Sequence, residues 1–348
     1  MPKQKKHANI PVFIPHLGCP NACVFCNQRA ISGHGDFALS LVRREIDEAL
    51  ATLDDCPCRE IAFFGGSFTG IDRVLMIELL ETAQGYVDAG RVQSVRLSTR
   101  PDYIDDEVLR VLSHYAVRTV ELGLQSMDDR VLTASRRGHD SKTAARACRL
   151  VKSYGFDLVG QMMIGLPESD GESECRTARR IIELGADAAR VYPTVVFRNT
   201  ELCRMAQSGA YQLLSQEDTL TRTADVLEIL DAAAVPVIRV GLCASENLSA
   251  PNTVYGGANE SAIGELAMGE VFYRRMRARL RDAGLPKGQT EVIFRVPGGA
   301  ISRAVGQQRK NTDRLCREFG LRRVRIIEDG KLYGYQTELF IHKLDGNA

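Results

Sequence analysis

The chain has 348 residues, and its 45 basic and 44 acidic side chains leave a formal net charge of +1, which excludes a general attraction to nucleic acid or to anionic membranes. Hydrophobic residues make up 44% of the chain and recur throughout it, so a largely disordered protein is also excluded. No apolar run reaches the roughly 18 residues of a membrane-spanning helix, and the N-terminus lacks a signal-peptide pattern, so we expect a cytoplasmic protein without a membrane partner.

Short apolar segments alternate with amphipathic helical patterns from residue 11 to about residue 242. The segments are rich in Val, Ile, Leu and Phe, as strands buried on both faces are. Strands that alternate with helices predict parallel βαβ units, and right-handed crossovers then favour a barrel, a partial barrel or an open wound sheet. The predicted strands are Val12–Leu17, Glu60–Gly65, Ser94–Thr99, Thr119–Leu124, Leu158–Ile164, Ala189–Val195 and Val235–Val240.

Three of the ten cysteines closely follow the first predicted strand, and they are Cys19, Cys23 and Cys26. Their spacing lets one short loop turn all three thiols toward a common centre. Soft thiolates prefer iron–sulfur clusters, zinc or Cu(I), and three thiolates on a four-iron cluster leave one iron open for another ligand. The alternatives are a zinc site completed by His16 or Cys58, since structural zinc usually takes four ligands, or inert cysteines. For Cys56 and Cys58, a turn at a helix end without metal is the favoured interpretation.

Glycines and polar residues gather where the later predicted strands end. Barrel enzymes place their active sites at the carboxyl ends of strands, so this rim is the predicted site. The Gly65–Gly66 pair is either a tight turn that needs a positive φ or a stretch of backbone that lets a ligand come close. The residues at this rim are Gly65, Gly66, Ser67, Gln125, Ser126 and Gln161. Further candidates near the late strand ends are Arg190, Tyr192 and Cys243.

After residue 242 the pattern changes to a polar loop over residues 243–262 and then to a small α+β tail. We therefore divide the chain into a barrel over residues 1–245, a connecting loop and helix over residues 246–288, and a basic α+β appendage over residues 289–348. The predicted elements are helices over Gly264–Leu285 and Ile301–Phe319 and strands over Thr290–Val296, Arg323–Ile327 and Gln336–His342.

Residues 300–326 of this tail carry eight basic and two acidic side chains, although the whole chain is nearly neutral. Such an asymmetry indicates a basic face for an RNA phosphate backbone. The alternative is a solvated helix face without a binding role. The segment Ser302–Leu315 weakly resembles a KH-type RNA-binding helix, with Arg309 in place of the second glycine of the Gly-x-x-Gly loop.

The cysteine loop, with Phe25 directly before the third cysteine, resembles that of the radical S-adenosylmethionine superfamily. The resemblance implies a partial (β/α)6 TIM-like barrel in which Cys19, Cys23 and Cys26 ligate a 4Fe–4S cluster. It also implies that the open iron binds S-adenosylmethionine and that one electron from the cluster cleaves it to methionine and a 5′-deoxyadenosyl radical. An electron donor of the flavodoxin or ferredoxin type is then an expected partner.

Further segments resemble the superfamily's motifs in the same order along the chain. Gly65-Gly66-Ser67 is similar to the segment that holds the methionine amino group, and Glu121–Ser126 to the fourth-strand segment that contacts the ribose. Gly160–Glu168 is similar to the fifth-strand segment that packs on adenine, although alternate residues of Met162–Ile164 should be core. The resemblance implies a cofactor pocket formed by Phe25, Gly65, Gly66, Ser67, Gln125, Ser126 and Gln161.

Within the superfamily the chain resembles the radical domain of Elongator catalytic subunits, over roughly residues 8–285. The segments Ser98–Asp102, Glu121–Ser126 and Arg136–His139 carry this likeness. That family acts on the wobble uridine of transfer RNA with acetyl-CoA and an acetyltransferase domain, which we do not expect here. The likeness implies transfer RNA as a partner of the basic tail. The alternatives are a small-molecule substrate such as a porphyrinogen, or a metal-stabilised RNA-binding protein without catalysis. For His139, a solvated surface turn is favoured over a substrate contact.

Overall fold

One parallel sheet of seven strands forms the larger part of the structure, and a three-stranded sheet follows it. The computed structural model describes residues 7–14, 19, 23–27, 38–53, 55–242, 253–284 and 288–342. The strands are β1 (His7–Ile14), β2 (Cys58–Gly65), β3 (Ser94–Thr99), β4 (Val117–Gln125), β5 (Asp157–Ile164), β6 (Ala188–Pro193), β7 (Val195–Phe197), β8 (Val237–Val240), β9 (Val254–Gly257), β10 (Gly288–Val296), β11 (Leu321–Glu328) and β12 (Glu338–His342). The helices are α1 (Leu39–Ala51), α2 (Arg73–Asp88), α3 (Asp106–Leu112), α4 (Asp129–Ala134), α5 (Ser141–Ser153), α6 (Gly171–Glu183), α7 (Glu201–Gln207), α8 (Gln216–Ala232), α9 (Ile263–Ala283), α10 (Ile301–Val305) and α11 (Lys310–Phe319).

The strand order in the large sheet is β1-β2-β3-β4-β5-β6-β8, and every neighbouring pair is parallel. One or two helices connect each strand to the next, so the sheet curls into a half-barrel with the helices on its outside. The predicted α/β partial barrel is thereby confirmed. The prediction of a plain loop over residues 243–262 was wrong, because β9 lies within it and pairs antiparallel with β7.

The sequence predicts that the first strand begins at Val12, but in the structure it begins at His7. Pairing explains the difference, because His7 lies opposite Cys58 of β2 and its ring contacts the Glu60 carboxylate at 2.7 Å. A polar residue at the edge of an apolar run can therefore belong to a strand when its neighbour supplies a partner.

Polar side chains mark the points at which most of the barrel helices begin. Each accepts a hydrogen bond from a backbone N–H of the first helical turn, where no earlier carbonyl is available. At α6, Asp170 accepts from the Ser173 N–H at 2.7 Å while the Asp170 N–H donates to Ser173 Oγ at 2.9 Å, which forms a capping box. The capping residues are Asp72, Asp105, Asp128, Asp140, Asp170, Thr200 and Ser215.

The main core lies between the sheet and the surrounding helices. Alternate strand residues point into it, as Val120, Leu122 and Leu124 of β4 do. Burial of such a side chain contributes about 1.5–3 kcal/mol to folding. In β5, Met162 and Ile164 are fully buried and Met163 is half-buried, which confirms that alternate residues of that segment are core.

Charged side chains line the inner face of the curled sheet, opposite the helices. Glu121 on β4 lies between two arginines, and it accepts from Arg96 Nη1 at 2.9 Å and from Arg190 Nη2 at 3.1 Å. Arg96 Nε also donates to Glu60 Oε2 at 3.0 Å, and Glu60 in turn contacts His7. Buried charges are tolerated when each has a partner. The ion pairs link β2, β3, β4 and β6, and the His7 contact with Glu60 joins β1 to them.

Glu60 is ionised within this chain of ion pairs. Burial raises the pKa of Glu60, but the hydrogen bond from Ser94 and the charge of Arg96 outweigh it, and the pKa lies below its usual value. Ser94 Oγ donates to Glu60 Oε1 at 2.5 Å. The carboxylate therefore matches the Arg96 guanidinium in charge as well as in geometry.

Helix α9 connects the half-barrel to the smaller sheet by packing on both. Its first part contributes Ala267 and Val271 to the main core. Its second part contributes Phe272, Met276 and Leu280 to a separate core under the three-stranded sheet, whose order is β11-β10-β12. Strands β10 and β11 are parallel, and β12 is antiparallel to β10.

The predicted continuous helix over Ile301–Phe319 was wrong, because the segment folds as two helices joined by a tight turn. Gly306 has a φ of 76°, and Gln308 and Arg309 have φ values of 50° and 63°. A Cβ on Gly306 would lie 2.9 Å from Cγ of Asn311, so the turn requires glycine there. Asn311 is buried and donates to the Gly269 carbonyl of α9 at 2.8 Å, which fixes the turn against α9.

None of the helices in the described ranges is both long and apolar enough to cross a membrane.

Replacement of Glu121 by Gln would leave Arg190 without its charged partner among the described residues, and Arg96 with Glu60 alone. We expect the free energy of unfolding to fall by about 3–5 kcal/mol, as measured by urea denaturation. The control is Glu183→Gln, which removes an exposed carboxylate paired with Arg180 at 2.6 Å and should change stability by less than about 1 kcal/mol. Equal, small effects of both substitutions would show that the buried ion pairs do not support the sheet.

Candidate active site

The ends of β1 and β2 meet at Gly65. Gly65 has a φ of 107°, and a Cβ there would lie 2.6 Å from the Ile14 carbonyl oxygen. The same carbonyl accepts the N–H of Gly66 at 2.9 Å. The interpretation of Gly65 as a turn residue with a positive φ is therefore confirmed, and the close approach sets the end of β1 just before the cysteine loop. Contact of Gly65 and Gly66 with a ligand stays a prediction.

Ser67 lies in a buried group of hydroxyls at the end of β3. Its Oγ is 2.8 Å from Oγ1 of Thr99 and accepts the Arg100 N–H at 3.2 Å. Thr69 Oγ1 is 2.6 Å from the same Thr99 oxygen. The Ser67 hydroxyl thus ties the β2 loop to the Ser98–Asp102 segment, while its predicted cofactor contact stays untested.

Gln125 ends β4 in a strained conformation. It has a φ of 65°, and the β4–β5 register shifts between Gly123 and Gln125. Its amide is buried, and within the described residues its Oε1 accepts no hydrogen bond. A buried amide oxygen without a partner is unfavourable unless a ligand donates to it, so this geometry suits a bound polar group.

Ser126 follows Gln125 in the chain, and Gln161 precedes Met162, the register partner of Gln125 on β5. Ser126 Oγ accepts the Asp128 N–H at 3.1 Å and is 3.5 Å from Thr177 Oγ1, so it holds the start of α4. Gln161 is half-buried on β5, opposite Gly123 in the register. Both residues therefore border the place where Gln125 lies, and their cofactor contacts stay predictions.

The Cys23–Val24 segment is fixed by contacts from two other parts of the chain. The Val24 N–H donates to the Ser135 carbonyl at 3.2 Å, and the Leu202 N–H donates to the Val24 carbonyl at 2.8 Å. The Cys26 N–H donates to the Cys23 carbonyl at 3.0 Å, which closes a short turn. Val24 belongs to an apolar cluster with Val196, Leu202 and Cys203, and Phe25 packs against it.

The Cys23 thiol is buried between two arginines. Arg137 Nη1 lies 3.3 Å from Sγ, and Arg100 Nη1 lies 3.9 Å from it. Burial lowers the pKa of Arg100, but Asp102, Cys19 and Cys23 outweigh this effect, so the pKa lies above its usual value. Arg100 is therefore a buried cation beside the Cys23 sulfur.

The structure does not bring the three cysteines of the motif into one coordination set. Cys19 and Cys26 are half-buried, whereas Cys23 is buried. Within the described ranges, no three His, Cys, Asp or Glu side chains are arranged to hold one metal ion. His16 and Cys243 lie outside those ranges. Cys56 is buried in the turn after α1, where its Sγ donates to the Cys58 carbonyl at 3.3 Å.

His139 is buried, so the prediction of a solvated surface turn was wrong. Its side chain is 1% exposed and lies 3.7 Å from Asp102 Oδ1, and neither ring nitrogen forms a hydrogen bond with a described residue. Burial, with repulsion from Arg137, lowers the pKa of His139 to about 4. The histidine is therefore neutral at neutral pH. Sequence reasoning missed it because the Arg-Arg-Gly-His segment is as polar as an exposed turn.

Arg190 and Tyr192 face the inside of the half-barrel. Arg190 Nη1 donates to the Tyr192 hydroxyl at 3.3 Å, and its guanidinium lies 5.2 Å from the Phe64 ring centroid. Arg239 lies opposite Arg190 in the β6–β8 register. The inside of the barrel thus offers cationic and aromatic groups to a bound molecule.

These residues fit a thiolate-bound cluster and a polar cofactor. A cluster held by thiolates carries negative charge, and two buried guanidiniums already lie at the buried thiol. The amide oxygen of Gln125 is available to a donor group, and the turn at Gly65 leaves the adjoining backbone without a side chain.

Two family models match the chain. The radical SAM superfamily model covers residues 13–177, and the radical SAM C-terminal domain model covers residues 186–267. The chain belongs to the radical SAM superfamily. Radical SAM proteins use a 4Fe–4S cluster and S-adenosylmethionine, and this radical SAM protein is an enzyme.

Similar proteins include members from archaea. An uncharacterised protein of Methanocaldococcus jannaschii is 28% identical over 239 residues, which are 65% of this chain and 73% of that protein. The tRNA uridine(34) acetyltransferase of the same organism is 30% identical over 146 residues, which are 40% of this chain and 27% of that protein. The N-terminally truncated Elp3 of Methanocaldococcus infernus has the same fold, with a TM-score of 0.61, 18% identity and coverage of 82% of this chain and 66% of that one. The resemblance to the Elongator radical domain is confirmed.

Replacement of Gly65 by Ala tests the close approach of β1 and β2. The new methyl group would clash with the Ile14 carbonyl, so we expect a loss of at least 2 kcal/mol, on the order of the larger single-substitution effects. Gly90→Ala is the matched control, because Gly90 also has a positive φ (68°) but no atom lies within 4 Å of its Cβ position. Thermal unfolding of the two variants separates the steric clash from the cost of a positive φ in alanine. Equal losses of stability in both variants would contradict the clash.

Proposed function

We propose that this radical SAM enzyme modifies a base of transfer RNA. Three observations support the proposal: the sequence likeness to a tRNA uridine(34) acetyltransferase, the shared fold with an archaeal Elp3, and a basic C-terminal unit. The third observation carries it, because that unit belongs to this chain and has a geometry suited to RNA.

The half-barrel would hold the cofactors. Bound together, the cluster and S-adenosylmethionine supply a radical that takes a hydrogen atom from the substrate. Cys19, Cys23 and Cys26 would ligate the cluster, and an electron donor of the flavodoxin or ferredoxin type would reduce it. The cofactor pocket would be formed by Phe25, Gly65, Gly66, Ser67, Gln125, Ser126 and Gln161.

The turn between α10 and α11 supports RNA binding. A KH-type module clamps the nucleic acid backbone with a Gly-x-x-Gly loop between two helices. Here Gly306-Gln307-Gln308-Arg309 occupies the equivalent place, and Arg309 adopts the left-handed φ that a second glycine would allow. Along the chain, the two helices and the turn connect β10 to β11, and these two strands pair in parallel. The substitution of glycine by Arg309 therefore keeps the turn and adds a positive charge to it.

The basic face is smaller than the sequence count indicates. Arg303 pairs with Glu265 at 2.9 Å and Arg314 pairs with Glu270 at 2.9 Å, both on α9. Arg314 also stacks on Tyr273, 3.7 Å from the ring centroid. Those two arginines hold the tail to α9. Two of the remaining arginines have a distant carboxylate partner, because Arg309 lies 3.9 Å from Asp313 and Arg322 lies 3.8 Å from Glu291. The exposed basic groups that remain for RNA are Arg309, Lys310, Arg317, Arg322, Arg323 and Arg325.

The first test replaces Cys19, Cys23 and Cys26 by Ala. We expect the reconstituted variant to lose the roughly four irons per chain that the cluster requires and to form no 5′-deoxyadenosine. Transfer RNA from cells that carry only this variant should lack one modified nucleoside present with the wild type, as measured by mass spectrometry of nucleosides. Identical nucleoside profiles with an active wild-type enzyme would contradict RNA as substrate and favour a small molecule.

The second test replaces Arg309 and Lys310 by Gln. We expect weaker transfer RNA binding and a salt slope reduced by about 0.9 for each lost phosphate contact. The control is the double variant Arg146→Gln and Arg149→Gln, which removes the same charge from the exposed side of α5. Equal transfer RNA binding by both double variants would show that the basic tail does not take part in RNA recognition.

A further inference from the structure

We propose that Arg137 and Arg100 are positioning residues that hold the Cys23 sulfur and raise the reduction potential of the cluster bound to it. This inference depends on the cofactor of the family and not on the proposed RNA substrate. It concerns side chains that lie outside the cysteine motif, on segments after β3 and after α4.

Arg137 is held in place from two sides. Its Nη1 contacts Cys23 Sγ at 3.3 Å, and its Nη2 donates to the Gly123 carbonyl at 2.6 Å. Its own carbonyl accepts from Arg100 Nη2 at 2.5 Å. The guanidinium is therefore fixed by the end of β4 and aimed at the thiol.

Arg100 is fixed by Asp102. Its Nε and Nη2 donate to the two carboxylate oxygens at 2.9 and 2.8 Å, which leaves Nη1 directed at Cys23. Bidentate pairs of this kind restrain the orientation of a guanidinium. The Ser67 hydroxyl accepts a hydrogen bond from the Arg100 backbone N–H, so it also fixes the backbone of this arginine at the end of β3.

The charges in this group do not cancel. Arg100 and Arg137 are positive, and His139 beside Asp102 is neutral because burial depresses its pKa. Asp102 pairs with Arg100, and no other carboxylate among the described residues forms an ion pair with either arginine. One net positive charge therefore remains next to Cys23. Arg100 and Arg137 are 4% and 5% exposed, so water screens this charge poorly.

A positive charge and N–H donors at a cluster sulfur favour the reduced cluster. Reduction adds one electron and hence one negative charge, and hydrogen bonds to the sulfurs and the local charge set the potential of an iron–sulfur centre. The electron comes from a one-electron donor of the flavodoxin or ferredoxin type. The two arginines would thereby make the reduced state accessible to such a donor.

The experiment is a redox titration of the reconstituted holoenzyme followed by electron paramagnetic resonance. We expect Arg137→Gln to shift the midpoint potential to a more negative value, and Arg137→Lys to recover most of the wild-type value because the positive charge returns. Asp102→Asn should shift the midpoint in the opposite direction, since it removes the opposing negative charge. A merely structural role would not move the potential in opposite directions.

Iron content and a control variant keep the outcome decisive. Arg274→Gln is the control, because Arg274 pairs with Asp225 and Glu228 of α8 and should leave the midpoint unchanged. Loss of iron from Arg137→Gln, with retention by Arg137→Lys and a positive shift in Asp102→Asn, also supports the proposal. Unchanged midpoints in all variants that retain four irons would overturn it.

Discussion

The contact between Cys23 and two buried guanidiniums is the interaction on which the site depends. Arg100 follows β3, Arg137 follows α4 and donates to the end of β4, and Cys23 lies beyond β1. Three connections of the half-barrel are thus joined at one sulfur atom. Because parallel strands end at the same edge of a sheet, the fold brings these distant segments together, and the arginines convert that proximity into a fixed arrangement.

The inner face of the barrel adds a second constraint. Glu60, Arg96, Glu121 and Arg190 form a continuous chain of ion pairs on four strands, where an ordinary barrel interior would carry apolar side chains. Each charge depends on its neighbour, so the strands cannot shift register without leaving a charge unpaired. The ion pairs therefore stabilise the sheet and also make the inside of the half-barrel polar.

The C-terminal unit relates differently to the barrel. Some arginines that the sequence suggests as a binding surface instead hold the unit to α9, as Arg303 and Arg314 do. The remaining exposed charge lies at the Gly306–Arg309 turn, on α11 and on β11. A basic face and a packing interface thus share one short segment. The basic groups that do not hold the unit to α9 are exposed, as contact with an extended polyanion requires.

The sequence by itself determined the strand–helix alternation, the seven strands of the large sheet, the cysteine loop and the family, because each follows from local periodicity or from a short spaced motif. Only the tertiary structure decided that His139 is buried, that the helix after Ile301 breaks at Gly306, and that Arg137 reaches Cys23. These features arise from contacts between residues far apart in the chain. A polar residue has the same appearance in a sequence whether water or a buried partner satisfies it, and only the packing of the folded chain distinguishes the two.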